Sequence, residues 1–74
     1  MIQLEITISG RVQGVGFRYF VNQKANELGI KGWVKNVQNS KVLIRAQAEK
    51  TNLETFTDYL KIGPARARVD KLFT

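Results

Sequence analysis

Gly10-Arg11-Val12-Gln13-Gly14-Val15-Gly16-Phe17-Arg18 joins the first predicted strand of this chain to its first predicted helix. Three glycines in seven residues allow the backbone to turn sharply and to direct several N–H groups toward one point. The helix that follows adds N–H groups without partners and the positive end of its dipole. Arg18 supplies a planar, charged fork that matches phosphate oxygens. The stretch therefore predicts a pocket for a phosphate-like anion.

Hydrophobic periodicity on both sides of this stretch predicts one strand and one helix. Over Ile2–Ile8, apolar and polar residues alternate, as in a half-buried strand. From Phe17 to Leu28, apolar residues recur at helical spacing, and Gly29 follows where a left-handed C-terminal cap is expected.

The second half of the chain repeats this alternation of strands and helices. Thr51 followed by Glu54 predicts a capping box at the start of the second helix. The predicted features, in order, are a strand over Lys31–Val37, a tight turn at Asn39-Ser40, a strand with Val42, Ile44, Ala46 and Ala48 on one face, a helix containing Leu53, Phe56 and Leu60, its end at Gly63-Pro64, and a strand over Arg66–Phe73.

The resulting order, βαββαβ, predicts an α+β fold. Two crossovers and one hairpin give a ferredoxin-like sandwich, an antiparallel sheet with two helices on one face. The length of 74 residues predicts a single domain over residues 1–74. The first two strands then run parallel with another strand between them, so their C-terminal ends share one edge of the sheet. The glycine-rich stretch leaves the first strand at that edge, and the second strand places Asn36 there.

Composition limits the chemistry that this chain can use. The sequence contains neither cysteine nor histidine, so we expect no disulfide framework and no metal site. No apolar stretch is long enough to span a bilayer and no signal-peptide pattern opens the chain, so we expect a cytoplasmic protein without a membrane partner. Twelve basic and six acidic residues give a net charge of +6, which attracts polyanions and small anionic substrates alike.

The blocks Gly10–Arg18 and Gly32–Asn36 resemble the two signature blocks of the acylphosphatases. The first matches the pattern G-x-V-Q-G-V-G-F-R at every position and the second matches G-x-V-x-N. The resemblance extends to the helix Leu53–Leu60 and to the segment Gly63–Asp70, and so covers essentially the whole chain.

This resemblance implies an enzyme that hydrolyses acyl phosphates to a carboxylate and inorganic phosphate, without metal or cofactor. Arg18 would hold the phosphate, and Asn36 would position the attacking water. Inorganic phosphate or sulfate would compete with the small acyl phosphate substrate. The loop amides that would complete the phosphate site belong to Val12, Gln13, Gly14, Val15, Gly16 and Phe17.

Two departures from the family pattern are visible. Asn39-Ser40 replaces the usual Asp-Gly turn, which changes the turn chemistry but not the site. The sequence also stops at Thr74, where family members usually continue into a further turn and a short closing strand. We therefore expect a folded monomer of modest stability whose uncovered sheet edge promotes self-association when the protein is partly destabilised.

Two alternatives remain at this point. The first is an RNA- or polyanion-binding module without enzymatic activity, which would stack bases on exposed aromatics of the middle strands. The second is a regulatory or carbamoyl-transfer-associated domain, similar to modules inside larger hydrogenase-maturation proteins. We expect Tyr19, Trp33 and Tyr59 to pack against the protein, so nucleic acid is not an expected partner. No aromatic occurs among the residues predicted for the open face of the first and third strands, which are Gln3, Glu5, Thr7, Leu43, Arg45 and Gln47.

Overall fold

The computed structural model describes all residues, 1–74, and contains four strands and two helices. The sheet has the strand order β2-β3-β1-β4, and every neighbouring pair is antiparallel. This arrangement confirms the predicted ferredoxin-like βαββαβ fold. The elements are β1 (Ile2–Arg11), α1 (Phe17–Leu28), β2 (Lys31–Val37), β3 (Lys41–Ala48), α2 (Lys50–Ile62) and β4 (Arg68–Phe73).

The core lies between the two helices and one face of the sheet. Alternate residues of the middle strands β1 and β3 are buried there, because successive side chains of a strand point to opposite faces. The buried residues are Ile6, Ile8, Val12, Phe17, Val21, Ile30, Val42, Ile44, Ala46, Ala48, Leu53, Phe56 and Leu60. The opposite face of the sheet, here called the open face, carries no helix.

Strand β1 is longer than the sequence predicts. It continues beyond Ile8 to Arg11, with a β-bulge between Ser9 and Gly10 where it pairs with β4. The glycine-rich segment that connects β1 to α1 is therefore shorter than the sequence block, and comprises residues 12–16. We call residues 12–16 the glycine loop.

The start of α2 also differs from the prediction. The helix begins at Lys50, and Glu49 occupies the N-cap position without a side-chain hydrogen bond. Thr51 lies inside the helix, where its carbonyl accepts a 3.2 Å hydrogen bond from the Thr55 hydroxyl. The predicted capping box of Thr51 and Glu54 is therefore wrong, because a residue inside the first turn cannot cap that turn.

The last strand begins two residues later than predicted, and two predicted turns are confirmed. The Ala67 N–H donates to the Pro64 carbonyl over 3.0 Å, so residues 64–67 form a turn and β4 starts at Arg68. Gly29 ends α1 in the left-handed conformation. Asn39 and Ser40 both have positive φ, 65° and 56°, in the turn between β2 and β3.

Two aromatic side chains lie on the open face, on its outer strands. Trp33 of β2 pairs with Arg45, and Phe73 of β4 pairs with Thr7; their exposed fractions are 45% and 57%. Directly paired residues of antiparallel strands share a face, which fixes this assignment. The middle strands carry no aromatic, as predicted. The expectation that Tyr19 packs against the protein is wrong, since it is 73% exposed, whereas Tyr59 is 39% exposed and its ring centre lies 4.4 Å from Lys24 Nζ.

Neither helix is long and apolar enough to cross a membrane.

Candidate active site

The glycine loop presents a continuous series of free backbone donors. Gly14 and Gly16 have φ values of 70° and 79°, and Gly16 is the left-handed N-cap residue of α1. Glycine adopts this conformation at little cost, and its alternation with ordinary residues turns successive N–H groups toward one side. Six backbone hydrogen bonds lie outside the regular elements, and no residue from 12 to 19 donates any of them. These N–H groups are therefore available to an anion at the N-terminus of α1.

A cleft of about 230 Å³ lies over the glycine loop. Arg18 and Asn36 both line it, although 18 residues separate them in the sequence. The β1–β3–β2 order brings them together, because β1 and β2 run parallel and end at the same edge of the sheet. The lining residues are Val12, Gly14, Gly16, Phe17, Arg18, Tyr19 and Asn36.

Buried side chains hold both ends of the glycine loop. Val12 and Phe17 are each 1% exposed and belong to the hydrophobic core. Val15, in the middle of the loop, packs against the same core with a partly buried side chain. The side chains of Val15 and Gln13 do not line the cleft. The role expected for their backbone N–H groups stays a prediction.

Arg18 has a positive charge that no group of the protein neutralises. Its guanidinium makes no hydrogen bond and no ion pair within the chain, and the first turn of α1 contains no acidic residue. The three ion pairs of the protein are elsewhere: Lys24–Glu27, Arg45–Glu5 and Arg68–Asp70. The positive end of the α1 dipole adds to the charge of Arg18, so the cleft attracts anions.

Asn36 reaches the cleft because of its position in β2. It pairs with the buried Val42, which places its side chain on the helix side of the sheet. Lys35 pairs with Leu43 and lies on the open face, as the alternation predicts. The Asn36 carboxamide makes no hydrogen bond within the chain, so both its donor and its acceptor are available in the cleft.

Gln13 has a side-chain role that the sequence did not reveal. Its Nε2 donates hydrogen bonds to the Val37 carbonyl over 2.8 Å and to the Lys41 carbonyl over 2.9 Å. These carbonyls lie at the facing ends of β2 and β3, so Gln13 ties the glycine loop to the β2–β3 hairpin beside Asn36. No local pattern could predict this contact, because the partners lie 24 and 28 residues away.

Tyr19 is a cleft residue that the sequence did not reveal as part of the site. Its side chain is 73% exposed at the rim, and it follows Arg18 directly in the first turn of α1. That position was the available signal, because residues at the start of a helix surround its N-terminus. The ring adds apolar surface and a hydroxyl group beside the free N–H groups of the loop.

Two other cavities are larger but lack these donors. One, of about 340 Å³, lies between α1 and the strands β2 and β3. The other, of about 360 Å³, lies between α2 and the start of β1. The first contains Arg45, which is already paired with Glu5, and the second contains lysines together with Glu54 and Asp58. Only the cleft over the glycine loop combines an unpaired arginine with free N–H groups.

Comparisons with known proteins agree with this geometry. The family model described as Acylphosphatase matches residues 4–74. An acylphosphatase of Archaeoglobus fulgidus is 54% identical over 69 residues, covering 93% of this chain and 78% of that protein. An acylphosphatase of Bacillus subtilis is 42% identical, covering 93% of this chain and 76% of that protein.

Solved structures show the same relationship. The crystal structure of acylphosphatase from Bacillus subtilis superposes with a TM-score of 0.96 at 40% identity, covering 99% of this chain and 81% of the other. Full-length HypF in its phosphate- and nucleotide-bound form gives a TM-score of 0.86 at 32% identity, covering 99% of this chain but 10% of the other. The sequence, the fold and the whole-chain matches together show that this protein belongs to the acylphosphatase family.

Proposed function

We propose that this protein hydrolyses acyl phosphates to a carboxylate and inorganic phosphate in the cleft over the glycine loop. One observation carries the proposal: an unpaired arginine, a free carboxamide and a series of free N–H groups converge on one cleft. Arg18 and the N–H groups bind the phosphoryl oxygens, and Asn36 orients the attacking water. The N–H groups are those of Val12, Gln13, Gly14, Val15, Gly16 and Phe17.

The chemistry requires little from the protein beyond alignment and charge stabilisation. The water oxygen attacks phosphorus while the bond from phosphorus to the acyl oxygen breaks, and the carboxylate leaves with the electron pair. The water protons pass to the phosphate product and to solvent. Because a carboxylate is a weak base, the leaving group needs no proton donor.

Arg18 and the loop N–H groups stabilise the transition state. Phosphoryl transfer through a loose transition state spreads negative charge over three equatorial oxygens. Donors that are already fixed in place stabilise that charge without reorganising, and each is worth about 2.7–4 kcal/mol of barrier. The buried side chains of Val12 and Phe17 and the Gln13 hydrogen bonds supply this fixed geometry.

Asn36 acts by position and not by proton transfer. Its carboxamide oxygen accepts a hydrogen from water and its NH₂ group donates to a second oxygen, which sets the direction of attack. Gln13 holds the adjacent Val37 against the loop, and so keeps Asn36 at a constant distance from the bound phosphate.

The substrate class follows from which part of the substrate the cleft contacts. The donors bind the phosphoryl group, whereas Tyr19 at the rim is the residue placed to contact the acyl group. Small acyl phosphates therefore fit the site, and inorganic phosphate and sulfate compete for the same donors.

Hydrolysis of acetyl phosphate tests this proposal. The unmodified protein should turn it over, and Arg18→Ala should lower kcat/KM by about 100- to 1,000-fold. Arg45→Ala is the matched control, because Arg45 lies on the open face and its exposed ion pair contributes little. A fully active Arg18→Ala protein, or an inactive unmodified protein that still folds, would contradict the proposal.

Binding of inorganic phosphate gives an independent measurement. Phosphate should inhibit competitively and raise the melting temperature by mass action. The largest NMR shifts should fall on the amides from Val12 to Arg18. Shifts confined to the open face would show that the cleft is not the phosphate site.

A further inference from the structure

The open face of the sheet holds most of the positive charge of the protein. The pairing register places on it seven of the twelve basic residues but only Glu5 among the acidic ones, and Asp70, which has no partner in the register, lies 3.1 Å from Arg68 of this face. Glu5 pairs with Arg45 and Asp70 pairs with Arg68, so the remaining cations have no partner on this face. The basic residues are Arg11, Lys31, Lys35, Lys41, Arg45, Arg68 and Lys71.

Each margin of this face carries an exposed aromatic ring beside a lysine. The Nζ atom of Lys35 lies 5.2 Å from the centre of the Trp33 ring on β2. On the other outer strand, β4, Phe73 lies two residues after Lys71, and both side chains lie on the open face. Three strand spacings separate β2 from β4, a distance of about 14 Å.

We propose that the open face binds single-stranded RNA. The lysines and arginines contact the phosphates, and the rings of Trp33 and Phe73 stack on bases at the two margins. Uncharged polar side chains in the middle of the sheet, those of Gln3, Thr7 and Gln47, contact 2′-hydroxyl groups.

The pattern of residues favours RNA over other polyanions and over membranes. A flat basic face with separated exposed rings suits flexible strands whose bases are free to stack. A membrane surface requires a continuous apolar patch, whereas Arg45, Glu5 and Thr7 lie between Trp33 and Phe73, with Leu43 as the one apolar residue of the middle strands on this face. An acidic protein offers carboxylates but no bases for the two rings. The expectation of no nucleic-acid partner rested on the absence of aromatics from the middle strands and on Trp33 packing against the protein, whereas the outer strands carry exposed rings at Trp33 and Phe73.

This surface is separate from the phosphate cleft, so the inference does not rest on the proposed enzymatic activity. Asn36 and Lys35 are neighbours in β2, but the first faces the helices and the second the open face. Arg18 belongs to α1, on the other side of the sheet. RNA and inorganic phosphate should therefore bind at the same time.

Titration with a short fluorescent oligouridylate tests the proposal. Fluorescence anisotropy should show saturable binding that weakens with salt, and quenching of Trp33, the single tryptophan, should follow the same curve. Each phosphate contact contributes about 0.7 to the magnitude of the slope of log K against log salt. The double variant Lys35→Glu/Lys71→Glu removes two contacts and should therefore reduce that magnitude by about 1.4. Phe73→Ala should weaken binding about tenfold.

The matched control changes the same charge on the helix side of the protein. Lys50→Glu/Lys61→Glu, both on α2, alters the net charge equally and should leave most of the affinity. Circular dichroism checks the fold of every variant, and Lys35→Gln/Lys71→Gln replaces the charge-reversed pair if that pair unfolds.

Three outcomes would overturn the proposal. Equal weakening by the two double variants would show that only net charge matters. Displacement of the oligouridylate by inorganic phosphate at matched ionic strength would show that the oligouridylate binds in the cleft and not on the open face. Equal affinity for the oligodeoxyuridylate of the same length would refute the assignment to RNA.

Discussion

Replacing Gln13 with leucine should destabilise the protein by an amount that the structure lets us estimate. The substitution removes two part-buried hydrogen bonds, of 2.8 and 2.9 Å, to the carbonyls of Val37 and Lys41. At about 1 kcal/mol for each bond, the free energy of unfolding should fall by about 2 kcal/mol. For a chain of this size, that loss lowers the melting temperature by about 8–16 °C.

Replacing Gln13 with glutamate is the sharper test, because the shape is retained while the donor is lost. An ionised carboxylate would face two carbonyl oxygens, so the folded state should raise the pKa of the introduced group above its ordinary value of about 4.3. Its protonated form can still donate one hydrogen bond. The stability that the introduced group contributes should therefore be complete below about pH 4.3, its ordinary pKa, and be lost as the pH rises through the raised pKa of the folded state.

Urea unfolding at pH 7 and at pH 4 measures these effects. Gln13→Glu should be less stable than Gln13→Leu at pH 7, and the difference should shrink or reverse at pH 4. Gln23→Leu on α1 is the matched control, since this glutamine is exposed and makes no hydrogen bond; its stability should change by less than about 0.5 kcal/mol. If Gln13→Leu were as stable as the unmodified protein, or if both Gln13 variants behaved alike at both pH values, the proposed tie between loop and hairpin would be refuted.

Further expectations concern the cleft and the glycines. Arg18→Lys should lose nearly as much kcat/KM as Arg18→Ala, because a point charge does not reproduce the bidentate fork; near-normal kinetics would show that charge alone suffices. Asn36→Asp should lower kcat more than it weakens phosphate binding, as steady-state kinetics and phosphate titration would reveal, and an unchanged kcat would remove Asn36 from the mechanism. Turnover should change little between about pH 5 and 8 apart from substrate protonation near pH 6, because the chain has no histidine; a bell-shaped profile centred on neutrality would indicate an acid or base that the mechanism omits. Gly32→Ala should cost about 3 kcal/mol in urea unfolding, since a Cβ there would overlap the Arg45 carbonyl, whereas Gly14→Ala meets open space and should cost about 1–2 kcal/mol; equal losses would contradict this difference.

The features that the sequence predicted correctly depend on short-range patterns. Alternation over two residues located the strands, and Gly29 marked the end of α1 because a left-handed cap favours glycine. The strand order followed from general rules of connection, and it correctly brought Asn36 to the end of β1. The roles expected for Arg18 and Asn36 rest on the resemblance of the two signature blocks, because spacing alone does not specify them, and they stay predictions.

The features that were missed depend on tertiary structure. α2 begins at Lys50 and buries Leu53 against the core, and the predicted cap residue Thr51 does not determine where the helix starts. The Gln13 side chain found its partners across the sheet, which no local window contains. The position of Trp33, in contrast, could have been predicted, because Trp33 alternates along β2 with Val34 and Asn36, which lie on the helix side of the sheet. Extending the face assignment to β2 would have placed that ring on the open face.

The interactions around the cleft divide between neutral groups that hold the backbone and a charged group that remains free. The glycine loop is held by buried hydrocarbon at Val12 and Phe17 and by the neutral amide of Gln13. No carboxylate lines the cleft, so the charge of Arg18 remains free to attract a phosphate. Elsewhere in the protein the arginines Arg45 and Arg68 do have such partners. Because neutral contacts fix the loop before substrate arrives, the proposed mechanism requires little reorganisation of its N–H groups and Arg18, and it explains how a chain without histidine or cysteine would catalyse phosphoryl transfer.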